Sequence, residues 1–356
     1  MPENSKSLRV LLVRLGAMGD ILHSLPAVTA LRRAHPEWTL GWAVEPQWSE
    51  LFCAAHATPG TAGMPLVDAL HMVPAKRWAK AWMRRSTREE VMAVRRELRA
   101  QHYDVAVDLQ GAVRSALLAR SAGTPRLIGE AVPREPAAKW LFKEKVPTRG
   151  VHVIEQSIEV VNAIAGDHLD FTLPLLPTDT ESEAFAATLP QPFVLLSPGA
   201  GWGAKRWPAA RYGAVARALA AQGFHVCINS GPMEMALAEE IVQSSGGVVH
   251  TLTPSLSKLM AITRRAALVI AGDTGPLHLA CALGRPTVGI FGPTDPARNG
   301  PFGNDFRVLR HPESKRDHTR RAEPEAGLLT ITPEAVTAAA LDLLAAPQTS
   351  ALRGNA

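Results

Sequence analysis

Short apolar runs alternate along this chain with longer stretches in which apolar residues return every three or four positions. Leu8 to Leu15 is the first such run and predicts a buried strand. From about Asp20 to Arg33 the period is helical. That helix is expected to stop before His35-Pro36, because a residue ahead of proline avoids the α region. Trp38 to Val44, Val67 to Val73 and Tyr103 to Leu109 predict further strands, with helices over Thr87 to Gln101 and Val113 to Ala122. A second series opens at Phe193. Its strands are Phe193 to Ser197, Phe224 to Asn229, Val248 to Leu252, Ala267 to Ala271 and Pro286 to Phe291, with helices from about Ala209, Met233, Ser255, Gly275 and Pro333.

Alternation of this kind implies an α/β chain whose mostly parallel sheets are covered by helices on both faces. Between the two series, residues 166–192 carry Pro174, Pro177, Pro190 and Pro192 among many polar residues, the composition of a linker. The expected organisation is a domain over 1–170, a linker over 171–192, a second domain over 193–346 and a flexible tail over 347–356. Asp295 to Glu325 reads as a charged loop region. Two doubly wound units of this type predict a central cleft in which ligands bind.

Composition narrows the class. Among 356 residues, 46% hydrophobic and 20% charged exclude wholesale disorder, and a formal charge of +5 favours anionic partners without identifying one. Cys53, Cys227 and Cys281 are far apart and form no metal-binding spacing, and the apolar surroundings of Cys227 and Cys281 favour buried free thiols in a reducing cytoplasm. The apolar run near the start, Val10 to Val13 plus Leu15, is too short for a signal peptide core, and no window reaches about 18 apolar residues. A soluble protein, attached to a membrane surface at most, is expected.

Candidate chemistry gathers at strand-to-helix turns. Leu15-Gly16-Ala17-Met18-Gly19-Asp20 follows the first strand, with two glycines that permit a tight turn. It is neither G-x-G-x-x-G nor a Walker A loop, so a nicotinamide or ATP site is not indicated. Asp20 fits two roles: a helix cap, or a general base at the carboxyl end of the strand. Ala271-Gly272-Asp273-Thr274-Gly275-Pro276-Leu277-His278 ends one strand and opens a helix. Asp273 and Thr274 suit a cap, Thr274 and Gly275 suit N–H contacts to a diphosphate, and His278 lies one turn further on. Phe291-Gly292-Pro293-Thr294-Asp295-Pro296 closes the next strand with a rigid turn. Ser197-Pro198-Gly199-Ala200-Gly201 precedes Lys205, either a solvated lysine or a cation that neutralises a leaving diphosphate. Ser230-Gly231-Pro232-Met233-Glu234 places a carboxylate either in a first helical turn or against ribose hydroxyls.

From Lys76 to Arg99 nine basic residues (Lys76, Arg77, Lys80, Arg84, Arg85, Arg88, Arg95, Arg96, Arg99) face only Glu89, Glu90 and Glu97. Such a run is either a solvated helix face or a surface for an anionic partner. Trp78 and Trp82, four residues apart, add an apolar stripe of the sort that suits a membrane surface. No nucleic-acid motif accompanies the charge.

Taken jointly, the run Val13-Arg14-Leu15-Gly16-Ala17-Met18-Gly19-Asp20-Ile21-Leu22-His23-Ser24-Leu25-Pro26, the Gly272 to His278 turn and the Phe291 to Pro296 turn resemble the heptosyltransferases of lipopolysaccharide core assembly, in glycosyltransferase family 9. Lys76 to Trp82, Asp108-Leu109-Gln110-Gly111-Ala112-Val113-Arg114-Ser115 and Arg134-Glu135-Pro136 look like the branch that adds the first heptose. The resemblance covers nearly the whole chain. It implies a GT-B fold, with an acceptor domain followed by a nucleotide-sugar domain. It also implies inverting, metal-independent transfer of heptose from ADP-heptose to a Kdo residue of Kdo-lipid A, with no cofactor, by a monomer at the inner face of the cytoplasmic membrane. A related transferase for another sugar or a later core acceptor is the nearest alternative; a non-catalytic nucleotide-binding membrane-surface protein is a further one.

Carried over by motif, Asp20 resembles the catalytic base and Lys205 the diphosphate-stabilising lysine. Donor contacts are expected from Ala200, Gly201, Glu234, Pro254, Asp273, Thr274, Gly275 and His278. Acceptor contacts are expected from Gly19, Lys76, Arg77, Lys80, Arg114 and Arg134. The loop Gly199 to Gly203 departs from the family in being glycine-rich where hydroxyl residues are common, so the N–H groups of Ala200 and Gly201 would take their place.

Overall fold

A computed structural model gives the structure, and it describes residues 7–231, 233–303, 305–314, 317 and 322–346. The predicted tail over 347–356 lies outside the described residues, as do Pro232 and several positions of the 295–325 loop. The chain divides into two units, Met1–Thr180 and Glu181–Ala356.

In the first unit the order is β1 (Arg9–Val13), α1 (Met18–Ala34), β2 (Thr39–Val44), β3 (Ala69–Met72), α2 (Ala75–Lys80), α3 (Arg85–Ala100), β4 (Val105–Asp108), α4 (Val113–Ser121), β5 (Arg126–Glu130), β6 (Glu144–Val146) and α5 (Val153–Ala165). The described strands form one six-stranded sheet in the order β3-β2-β1-β4-β5-β6, parallel throughout. The order reverses direction at β1 and β4, where Val13 stands opposite Asp108. Strands covered on both faces read as unbroken apolar runs, and Val10 to Val13 are fully buried. α3 is amphipathic and turns Thr87, Val94 and Leu98 inward while its arginines face out.

The second unit repeats the plan: α6 (Thr180–Ala187), β7 (Phe193–Ser197), α7 (Ala209–Ala221), β8 (His225–Asn229), α8 (Met235–Ser244), β9 (Val249–Leu252), α9 (Leu256–Arg265), β10 (Leu268–Gly272), α10 (Gly275–Ala282), β11 (Thr287–Phe291), α11 (Pro296–Asn299), β12 (Phe306–Arg310) and α12 (Pro333–Ala345). Its described strands form a parallel sheet in the order β12-β11-β10-β7-β8-β9, with the reversal between β7 and β10. Its core packs Trp207, Tyr212, Leu268, Ile270 and Val336.

Several elements differ from the sequence reading. Residues 171–192 contain α6, held against α9 by an Arg264–Glu183 ion pair at 2.8 Å. Within the 295–325 loop lie α11 and a sixth strand, β12. β12 is an edge strand whose Phe306 and Arg307 are exposed, so its pattern is not that of a buried run. β5, β6 and α5 are further elements beyond those the apolar pattern predicts.

Candidate active site

Each unit gathers functional side chains where its parallel strands end. In the second unit the hub is Asp273, between β10 and α10 and 8% exposed. Lys205 donates to its carboxylate and, at 3.2 Å, to its backbone carbonyl; His278 Nε2 donates to Oδ1 at 3.1 Å. Because a carboxylate only accepts, Nε2 carries the proton. Burial alone would raise the Asp273 carboxyl. The hydrogen bond and charge of His278, with the Lys205 ammonium, outweigh it and hold the group well below the usual carboxylate range. The Lys205 ammonium also lies 4.3 Å from the centre of the Trp202 ring. Thr274 occupies the N-cap position of α10, yet its hydroxyl turns back to the Gly272 carbonyl at 3.3 Å.

The turns after β7 and β8 meet through Glu234. Its carboxylate accepts the Gly231 N–H at 3.0 Å and lies against Gly199. Ala200 and Gly201 continue that turn, half-buried and exposed respectively. Pro254 follows β9, just before Ser255, whose hydroxyl accepts the Lys258 N–H at the start of α9. Ala200, Gly201, Glu234, Pro254, Asp273 and Thr274 therefore come from the turns at the carboxyl ends of β7, β8, β9 and β10, and Gly275 and His278 from the start of α10.

In the first unit Asp20 sits in the first turn of α1. One oxygen accepts the Ala17 N–H at 3.2 Å; the other pairs with Arg14, also at 3.2 Å. Gly19 precedes it, half-buried. Gly111, at φ +63°, leaves no room for a side chain, because a Cβ there would stand 2.9 Å from the Arg134 nitrogen. Glu135 closes the same contact, donating its N–H to the Gly111 carbonyl and accepting that of Val113, both at 2.8 Å. This brings the Arg134 backbone beside the turn that leads into α4 and Arg114; both arginines are exposed.

A cavity of about 590 Å³ opens in this unit, lined by Leu15, Val73, Trp78, Trp82, Val91 and Met92, with Arg88 and Arg114 among its polar residues. Lys76 and Lys80 lie exposed on α2 at one side of it. Arg77 is paired with Glu90 at 2.6 Å, and the same carboxylate accepts the Trp78 indole N–H at 2.8 Å.

The profile of glycosyltransferase family 9 (heptosyltransferase) matches residues 91–328. The chain belongs to that family. It is 30% identical over 305 residues to lipopolysaccharide heptosyltransferase 1 of Pseudomonas aeruginosa, covering 83% of this chain and 82% of that protein. Over 314 residues it is 29% identical to the heptosyltransferase 1 of Escherichia coli, covering 86% and 94%. Among solved structures, E. coli heptosyltransferase WaaC with ADP superposes with a TM-score of 0.78 at 27% identity, over 94% of this chain and all of that one. The fold of this glycosyltransferase is accordingly GT-B, two Rossmann-like units of six parallel strands each among the described residues.

Against this family background, one expectation is corrected. Asp273 does not cap α10, since Lys205 and His278 engage both its oxygens, and an ammonium is a stronger partner than a helix N–H. His278 is buried and directed at Asp273 from within α10. The sequence reading gave no role to Arg14, Trp202 or Asp108. Arg14 stands inside the first motif, six residues before Asp20, and Trp202 inside the glycine-rich loop; their positions were the available signal.

Among the described residues no helix is long and apolar enough to cross a membrane.

Proposed function

We propose that this glycosyltransferase transfers heptose from ADP-heptose to a Kdo residue of Kdo-lipid A, with inversion and without a metal. The observation that carries the reading is Lys205, held by Asp273 beside the N-terminus of α10. A cation and the positive end of a helix there suit a diphosphate. Similarity to E. coli WaaC, also solved with ADP-2-deoxy-2-fluoro heptose, supports this donor.

In the reaction, Asp20 takes the proton of an acceptor hydroxyl as its oxygen attacks the anomeric carbon. The bond from that carbon to the diphosphate breaks, and its electron pair leaves with ADP. Lys205 and the α10 dipole neutralise the departing charge, while Ala200, Gly201, Thr274 and Gly275 offer N–H groups to the phosphates. Glu234 and Pro254 border the nucleoside. Turnover requires Asp20 to meet the donor held by the second unit.

On the acceptor side, Gly19, Lys76, Arg77, Lys80, Arg114 and Arg134 face the sugar carboxylates and phosphates of a lipid-linked acceptor. The apolar cavity with Arg88 and Arg114 suits an acyl chain beneath an anionic head. Such an acceptor would be met at the inner face of the cytoplasmic membrane, and a monomer is the proposed acting form.

The test is to incubate the full chain with ADP-heptose and Kdo-lipid A in the presence of a chelator. A product heavier by one heptose, formed in step with ADP, is expected. Product only from a later core acceptor, or only after metal is restored, would overturn the corresponding part.

A further inference from the structure

Asp108 ends β4 at the point where the strand order of the first unit reverses, and it is 1% exposed. One oxygen accepts two backbone N–H groups, those of Gln110 and Gly111, both at 2.8 Å. The other oxygen is buried without a hydrogen-bond partner. The nearby Ser115 hydroxyl gives its proton to the Ala112 carbonyl at 2.9 Å. A bare, buried carboxylate oxygen is costly, so its retention calls for a compensating use.

The turn that Asp108 shapes is the one that holds the Asp20 region. Leu109 offers its carbonyl to Arg14, Gln110 Oε1 accepts the Leu15 N–H at 2.8 Å, and Arg14 reaches Asp20 at 3.2 Å. The Arg14 side chain is 13% exposed, so few other partners compete for it. Its carbonyl is pinned too, by the Trp42 indole N–H at 3.1 Å.

We propose that Asp108 is a positioning residue for transfer: by clamping the Leu109–Gly111 turn it fixes Arg14, and Arg14 sets the direction of the Asp20 carboxylate. This rests on the reading of Asp20 as the base. Charged groups on the surrounding elements are Arg14 and Asp20 at β1 and α1, Arg114 on α4, Glu130 at the end of β5, and Arg134 and Glu135 in the loop that follows it. Of these, Arg14 bears on Asp108 by its charge. Burial is the larger influence and raises the Asp108 carboxyl to about 6, against the Gly111 and Gln110 hydrogen bonds, the nearby Ser115 hydroxyl and the charge of Arg14. The clamp therefore loosens as pH falls through that value.

The test measures kcat, both KM values and their pH dependence for wild type, Asp108→Asn, Arg14→Gln and the double variant, with ADP-heptose and Kdo-lipid A. Asp108→Asn is expected to lower kcat about tenfold at neutral pH with the donor KM unchanged, the scale of a small misplacement of a reacting group. The step in kcat near pH 6 should vanish in both single variants, and the double variant should be no worse than Arg14→Gln. A purely structural Asp108 would change melting temperature while leaving kcat and the pH step intact, and that result overturns the proposal. Should Asp108→Asn not fold, an unchanged pH step in Arg14→Gln overturns it equally. Normal turnover by Asp20→Ala would instead remove the underlying assignment of the base, a distinguishable outcome.

Discussion

Glu234 Oε1 lies so close to Gly199 that a Cβ atom there would stand 2.0 Å from it. The glycine-rich loop after β7 thus has a steric cause at this position: the turn must let the Glu234 carboxylate pass. Gly203 is a different case, since its Cβ would fall 1.6 Å from the Ala322 carbonyl oxygen, a backbone atom. Gly199→Ala should swing the flexible Glu234 side chain aside and raise the donor KM about tenfold with little loss of stability. Gly203→Ala should lower the melting temperature instead, because a backbone has to move. Donor saturation curves and thermal melts of the two variants separate these outcomes.

Lys205→Ala should damage both chemistry and folding. Loss of a cation aimed at a leaving group costs about 10²–10³ in kcat. Asp273 would also be left buried with His278 as its remaining side-chain partner, and breaking a buried pair costs about 3 kcal/mol. Because the folded Asp273 carboxyl is held below its ordinary value, the stability it contributes is present above the normal carboxylate range and lost as pH falls through and below it. Wild type should therefore lose stability on acidification more steeply than Lys205→Ala, as denaturant titrations at several pH values will read.

Asp20→Ala tests the base directly. A lost general base lowers kcat by about 10²–10⁴, while binding of ADP, proposed for the second unit, should be unchanged. Near-normal turnover would remove Asp20 from that role and leave it as the partner of Ala17 and Arg14.

Asp108 predicts the opposite pH trend to Asp273. Burial raises its folded value from 3.8 to about 6, so it stabilises the fold fully below the lower value and loses that contribution as pH rises through the higher. A shift of about two units corresponds to about 3 kcal/mol. Relative to wild type, Asp108→Asn should gain stability above about pH 7 and show no gain near pH 4. Paired melts across this range check the sign.

Much of the fold was legible because parallel strands buried on both faces are continuous apolar runs, as in Phe193 to Ser197. What escaped lay mainly at edges. β6 has three residues with none buried, and β12 exposes Phe306 and Arg307, so neither carries the signal of a covered strand. α5 does carry capping and an apolar face, with His152 accepting the Ile154 N–H, but it follows a short proline- and glycine-marked turn that masks its start. At the site, residue types and their loops were readable from Asp273, Lys205 and Glu234. The partners were not, because Lys205 and Asp273 are 68 positions apart and only the β7–β10 pairing joins their loops. Asp108 opens a recognisable motif, yet its burial depends on β4 lying at the sheet centre, a property of strand order.

The cavity in the first unit yields the last expectation. Trp82, 66% exposed, and Met92, 45% exposed, stand among its lining residues, while Arg88 and Arg114 supply positive charge. Apolar surface left uncovered next to cations fits an acyl chain under an anionic head group better than it fits a sugar, which would need hydrogen-bonding partners inside. A carboxylate introduced by Val91→Glu would have to be desolvated by such a chain and would repel its head group. The KM for Kdo-lipid A should then rise about tenfold, whereas the KM for a Kdo acceptor stripped of acyl chains and the donor KM should stay constant. Arg114→Ala, by contrast, should weaken both acceptors alike, since its charge would face the sugar acid. An equal effect of Val91→Glu on the stripped acceptor would show that the cavity does not read the lipid, and the membrane-facing role would pass to the exposed lysines of α2.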